Sequence, residues 1–152
     1  MTLTPTEIRS KAKEIFETAF PPNGYATDES LKKFCDESLS PKATSWDCPL
    51  TGHESEKHIS NPTPDTLFGW FKQHFDPSAM KYTEFPLGEI MVAGNVASFH
   101  KGFFIDLGNG CVHGNSVLIM ELDDDGKLTK WIDHFDAASL EEQFAAAAKF
   151  ND

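Results

Sequence analysis

Apolar residues recur at three- and four-residue spacing through the first half of the chain and at two-residue spacing through much of the second. Thr4-Pro5-Thr6-Glu7 combines an N-cap, a proline at the first helical position and a capping-box glutamate, which predicts a helix start. Ile8, Ala12, Ile15, Phe16 and Ala19 make its apolar stripe, and Pro21-Pro22 stops it. A second helix is predicted from about Thr27, with Leu31, Phe34, Cys35 and Leu39 on one face, ending before Pro41. Ala43 to Pro49 is read as a short strand and Leu50 to Pro62 as a polar loop. Thr63-Pro64-Asp65 opens a third helix carrying Leu67, Phe68, Phe71 and Phe75, which Asp76-Pro77 closes. From about Lys81 the period becomes two. Strands are predicted over 81–92, 95–107, 111–122 and 127–136, with turns near Gly94, Gly108-Asn109-Gly110 and Asp125-Gly126. Ser139-Leu-Glu-Glu142 caps a last helix with Leu140, Phe144 and Ala147.

Helices followed by a long meander specify an α+β fold, with the helices packed on one face of a curved antiparallel sheet. The third meander strand carries Val117 and Ile119 on one side and Leu118, Met120 and Leu122 on the other. A strand apolar on both faces is covered on both. The helices cover one, so the outer face is expected to meet a second copy of the chain in a homodimer.

At 152 residues the chain is expected to form one domain, 1–152, able to bury its own core. The formal charge of −11 and a single arginine, Arg9, argue against a nucleic-acid partner or a substrate with several phosphates. No apolar run reaches membrane-spanning length, and the first residues lack a basic and an apolar leader region, so a cytoplasmic protein is expected. Cys35, Cys48 and Cys111 are odd in number and widely spaced, which reads as free thiols in a reducing compartment. No metal site is expected, because His53 and His58 share no ligand spacing and Asp123-Asp124-Asp125-Gly126 lacks the alternation of a calcium loop.

The chemistry concentrates in the last strand, where Trp131, Asp133 and Phe135 share a face. Burial between two aromatic rings would push a carboxyl pKa upward and suit it to acid–base work; the alternative is a structural carboxylate bonded to backbone or lysine. A two-residue turn at Asp125-Gly126 would set Asp133 opposite Leu118, and a three-residue loop at 108–110 would set His100 opposite Leu118 from the other side. One face would then collect His100, Ser98, Gly102, Phe104, Ser116, Leu118, Met120, Trp131, Asp133 and Phe135.

The helix–helix–strand–helix–meander order and the segment Gly126-Lys-Leu-Thr-Lys-Trp131-Ile-Asp133-His-Phe-Asp136 resemble the nuclear-transport-factor-2-like superfamily. Within it, they are similar to the SnoaL-like polyketide cyclases and the limonene-epoxide-hydrolase-like proteins. The resemblance implies a cone-shaped barrel whose pocket receives the first aspartate of that motif, Asp133, as an acid–base group. His100-Lys101-Gly102 looks like the His-x-Gly segment of SnoaL-like members, and Ser45-x-Asp47 falls where the hydrolases hold a water with a Tyr-x-Asn pair. Those hydrolases also use an Arg-x-Asp pair on the second meander strand, at positions matched here to His100 and Gly102, which leaves that triad incomplete. The expectation is a cofactor-free cyclase, isomerase or dehydratase of secondary metabolism acting on an apolar or polycyclic metabolite. Asp133, His100 and Asp47 would be catalytic, and Phe68, Phe71, Phe104, Ser116, Leu118, Met120, Trp131 and Phe135 would bind substrate. The alternatives are an epoxide hydrolase with a modified water site and a non-catalytic ligand-binding or dimerisation module.

Overall fold

The computed structural model describes residues 2–48, 58–135 and 137–149. Three helices open with the same device. Helix α1 (Pro5–Ala19) starts at Thr4, whose hydroxyl accepts the Glu7 N–H while Glu7 Oε1 accepts the Thr4 N–H. Thr27 and Thr63 cap α2 (Asp28–Ser38) and α3 (Pro64–His74) with Ser30 and Thr66 in the reciprocal role. Each cap satisfies amide groups that the first helical turn leaves without partners.

Between α2 and α3 run the short strands β1 (Ser45–Asp47) and β2 (His58–Ser60), the second lying inside the stretch expected to be loop. The predicted strand over 81–92 is two strands, β3 (Lys81–Pro86) and β4 (Met91–Ala93). The ladder to β5 reaches Leu87, whose N–H donates to the His100 carbonyl at 2.8 Å, and the bend at Leu87-Gly88 then breaks the run. Strands β5 (Val96–Asp106), β6 (Cys111–Leu122) and β7 (Leu128–Phe135) follow their expected spans closely. The last helix, α4 (Ala137–Lys149), begins two residues before Ser139, so that serine sits inside the first turn instead of capping it.

The fold is α+β, with a curved, unclosed sheet in the order β2-β1-β7-β6-β5-β3 and β4 also on β5. Among the named strands the pairings are antiparallel except β1 with β7, which run parallel and set Trp46 beside Trp131. Inward rings from helix and sheet interlock: Phe16 meets Phe99 edge-on at 5.1 Å, Phe34 meets Trp131 at 5.7 Å, and Trp46 stacks on Trp131 at 4.8 Å. Such contacts add about 0.5–1.5 kcal/mol each beyond the area they bury. No helix among the described residues is long and apolar enough to cross a membrane.

Candidate functional site

Hairpin geometry decides which side chains enter the cone. Between β5 and β6 the last pair is Asp106 with Cys111, and Leu107 N–H donates to the Gly110 carbonyl at 2.9 Å. The loop therefore holds four residues, 107–110, where three were expected. That single residue turns β5 over. Phe99, not His100, lies opposite Leu118. His100 pairs with Val117 on the exposed outer face, where its Nε2 meets Asn115 Oδ1 at 3.1 Å. Ser98, Gly102 and Phe104 share its side, so the expected row of His100 and Asp133 does not exist.

At the other hairpin two departures cancel. Asp123 N–H donates to the Lys127 carbonyl across Asp124-Asp125-Gly126, with Gly126 at φ 77°, and Thr129 is an extra residue in β7. The longer turn and the bulge together restore the expected register, and Asp133 stands opposite Leu118 on the inner face.

The β5 flip brings in Lys101, whose side chain is fully buried. Its Nζ lies 2.8 Å from Glu84 Oε1 on β3 and 3.1 Å from Asp133 Oδ1, and 4.8 Å from the centre of the Phe135 ring. Asp133, 4% exposed, also accepts from Trp131 Nε1 at 3.2 Å and from the Ser116 hydroxyl at 3.4 Å, with the Cys48 thiol 3.9 Å away. The carboxylate expected between two aromatic rings is thus answered by a buried cation, an indole N–H and a longer contact from a hydroxyl. Glu84 differs. Its Oε2 is buried with no hydrogen-bond partner among the described residues. Burial pushes the Glu84 carboxyl up to about 7, against the opposing pull of Lys101. Burial alone would lower the Lys101 ammonium, but the Asp133 and Glu84 carboxylates outweigh it and hold the group above the ordinary lysine value.

These groups edge a narrow aromatic cavity of about 30 Å³ lined by Trp46, Trp70, Phe71, Trp131, Glu84 and Asp133 among others. That is room for about one or two waters. Trp46 Nε1 is the other buried side-chain polar atom without a partner among the described residues, and it too belongs to a lining residue.

Of the expected substrate-binding residues, Phe71 and Trp131 line the cavity. Ser116 binds Asp133, and Phe135 lies under Lys101. Leu118 and Met120 are fully buried core residues, Phe104 faces outward, and Phe68 carries the Lys32 ammonium 5.8 Å above its ring. Asp47 stands apart from the cavity. Trp46 takes the inward phase of β1, so Asp47 points out and binds His58 Nδ1 at 2.9 Å, while His58 Nε2 meets the Ser60 hydroxyl at 3.0 Å. Residue reasoning missed Lys101 and Glu84. The signal was present: along β5 the odd positions read Ala97, Phe99, Lys101, Phe103, Ile105, a buried phase interrupted by one charge.

No protein-family model matches the sequence, and no curated protein matches it. Solved structures do match in shape. An LEH-like epoxide hydrolase from M. tuberculosis superposes with a TM-score of 0.67 at 14% identity, covering 97% of this chain and 92% of that one. BvnE pinacolase from Penicillium brevicompactum gives 0.70 at 14% identity over 98% and 97% of the two chains. An NTF2-like protein of unknown function from Burkholderia pseudomallei gives 0.67 at 14% identity over 90% and 95%. The fold is NTF2-like. In this chain the space between helices and sheet is largely filled by rings, and the buried charged groups gather where β3, β5 and β7 meet the cavity.

Proposed function

We propose that the protein is an acid–base enzyme acting on a small, largely apolar molecule, with Glu84, Lys101 and Asp133 as its working groups. The observation that carries this reading is the pair of unpartnered polar atoms, Trp46 Nε1 and Glu84 Oε2, among the residues of one aromatic cavity. Buried polar groups are nearly always satisfied, by protein, water or ligand, so two orphans beside a space of about one or two waters mark where a ligand's polar end would take a water's place. Glu84, whose carboxyl burial raises so that it holds its proton well above the ordinary carboxylate range, supplies a proton through Oε2. Asp133 takes one up or steadies positive charge, and Lys101 couples the two carboxyl groups by touching both. Cyclisation, isomerisation and dehydration all need a donor and an acceptor so placed.

Epoxide opening is a second reading, favoured by one observation: a cation between two carboxyl groups. Lys101 occupies an inward position of β5, and Glu84 supplies from β3 a carboxyl group where Phe103 takes the next inward place on β5. The M. tuberculosis structure similar in shape is an epoxide hydrolase, and the Penicillium one is a pinacolase. Glu84→Gln and Asp133→Asn are each expected to lower turnover about 10²–10⁴-fold, assayed over a panel of polycyclic ketones and apolar epoxides in labelled water. Solvent oxygen in the product marks epoxide hydrolysis, and solvent deuterium without oxygen marks isomerisation. Near-normal turnover in both variants sinks the acid–base reading.

We further propose a homodimer through the outer sheet face. Val117 is 42% and Met91 66% exposed there, with Ile119 and Ile132 on the same side of the sheet.

A further inference from the structure

A cavity of about 30 Å³ cannot hold the body of any organic substrate. Next to it lies a second space. A groove of about 540 Å³ runs between the C-terminal end of α1, the connection to α2, and β3. Small-molecule sites occupy roughly 300–1,000 Å³, so this groove has the right size. Phe20, Thr83 and Glu84 line both spaces, which makes β3 the partition between them. Tyr25 from the connection and Phe85 from β3 add two rings to the groove, 44% and 42% exposed.

The edge of β3 faces this groove, and part of its hydrogen bonding is taken up by no described residue. Ala26 N–H donates to the Tyr82 carbonyl at 2.8 Å, on the side away from β5. Strand peptides alternate sides, so the Glu84 N–H and carbonyl point to that same free edge, and Pro86 ends the run beyond them. Glu84 thus offers the groove a backbone donor and acceptor, while its unpartnered Oε2 lies buried behind them on the inner face. Glu17, 3.9 Å from the Lys13 ammonium, and Glu84 are the acidic residues of the lining, and no lysine, arginine or histidine lines it among the described residues.

We propose that this groove is the subsite for the body of a flat aromatic molecule, neutral or cationic, whose oxygen-bearing end reaches Glu84. The inference rests on the acid role of Glu84 for its chemistry but not for its binding geometry. Rings of Tyr25 and Phe85 suit a planar partner, and the Glu17 carboxylate, with no cation in the described lining, disfavours an anion. The substrate body then never needs to displace the packed rings of the cone. Only its reacting end approaches the buried carboxyl groups.

The probe is 2-naphthol, uncharged at pH 7, titrated into the full chain and followed by amide chemical shifts. Saturable shifts are expected at Tyr25, Thr83, Glu84 and Phe85, with Tyr25→Ala and Phe85→Ala each raising Kd about 2- to 10-fold. Gly24→Trp is expected to abolish the response, because a Cβ at Gly24 meets nothing within 4 Å and the fold can accept it. Shifts centred on the Trp46 and Trp131 indoles, no saturation at millimolar probe, or an unchanged Kd in Gly24→Trp would overturn the subsite. Groove binding that persists in Glu84→Gln supports the subsite even if turnover in that variant is normal, an outcome that removes only the acid role. Lost groove binding with turnover still dependent on Glu84 removes the subsite and leaves the acid.

Discussion

Truncating Lys101 would strand two carboxyl groups in a site from which water is nearly excluded. Breaking a buried pair from one side costs about 3–5 kcal/mol, because the remaining charge keeps its desolvation penalty. Lys101→Ala is expected to lose stability of that order in urea denaturation. Adding Asp133→Asn to it should recover part of the loss, since the second change removes the stranded charge. Glu84 makes a separate prediction. Its folded pKa, about 7, lies above the ordinary 4.5, so between these values the folded state holds a proton that the unfolded chain has released. Stability from this group is therefore full below about pH 4.5 and falls as pH rises toward 7. The urea midpoint should decline from pH 5 to 7.5, and Glu84→Gln should flatten that slope.

Among the elements, the hairpins govern which residues become chemistry. Helix caps, stops and the apolar stripes could be read locally, because a cap and its partner lie within three residues. The face of β5 could not be read from the loop sequence Leu107-Gly108-Asn109-Gly110 with the same security, since three- and four-residue turns both accommodate glycine and asparagine. Asp133 was placed correctly through compensation: the turn at Asp124-Asp125-Gly126 is longer than two residues, and Thr129 absorbs the difference. The face of β5 is carried by its alternation instead: the odd positions form the apolar phase, interrupted by Lys101, and the even positions do not. One glycine of β6 now has a clear task. Gly114 pairs with Phe103, whose ring would stand 2.9 Å from an added Cβ. Gly114→Ala is expected to destabilise by about 1–3 kcal/mol in thermal or urea unfolding, the usual cost of overfilling a packed site.

For the molecule as a whole, the alternation of two periods was enough to fix an α+β fold with helices against a sheet. The parallel contact of β1 with β7 was not legible, because a three-residue strand carries too little pattern to choose a neighbour. Neither was the ion network, which joins β3, β5 and β7 across 49 positions of sequence, from Glu84 to Asp133. The outer sheet face yields the prediction at this scale. A dimer is expected by light scattering at micromolar concentration, and Val117→Asp should shift it to the monomer mass, because a charge would be buried unpaired at the centre of the face. A wild-type monomer at high concentration would remove the dimer proposal.

The chain has three tryptophans, and Trp46, Trp70 and Trp131 all border the inner cavity. Its ultraviolet emission therefore reports from one place. A molecule that pushes between the indoles should quench or shift nearly all of that light, whereas one resting against Tyr25 and Phe85 should leave most of it unchanged. The protein carries its own gauge of how deep a visitor travels.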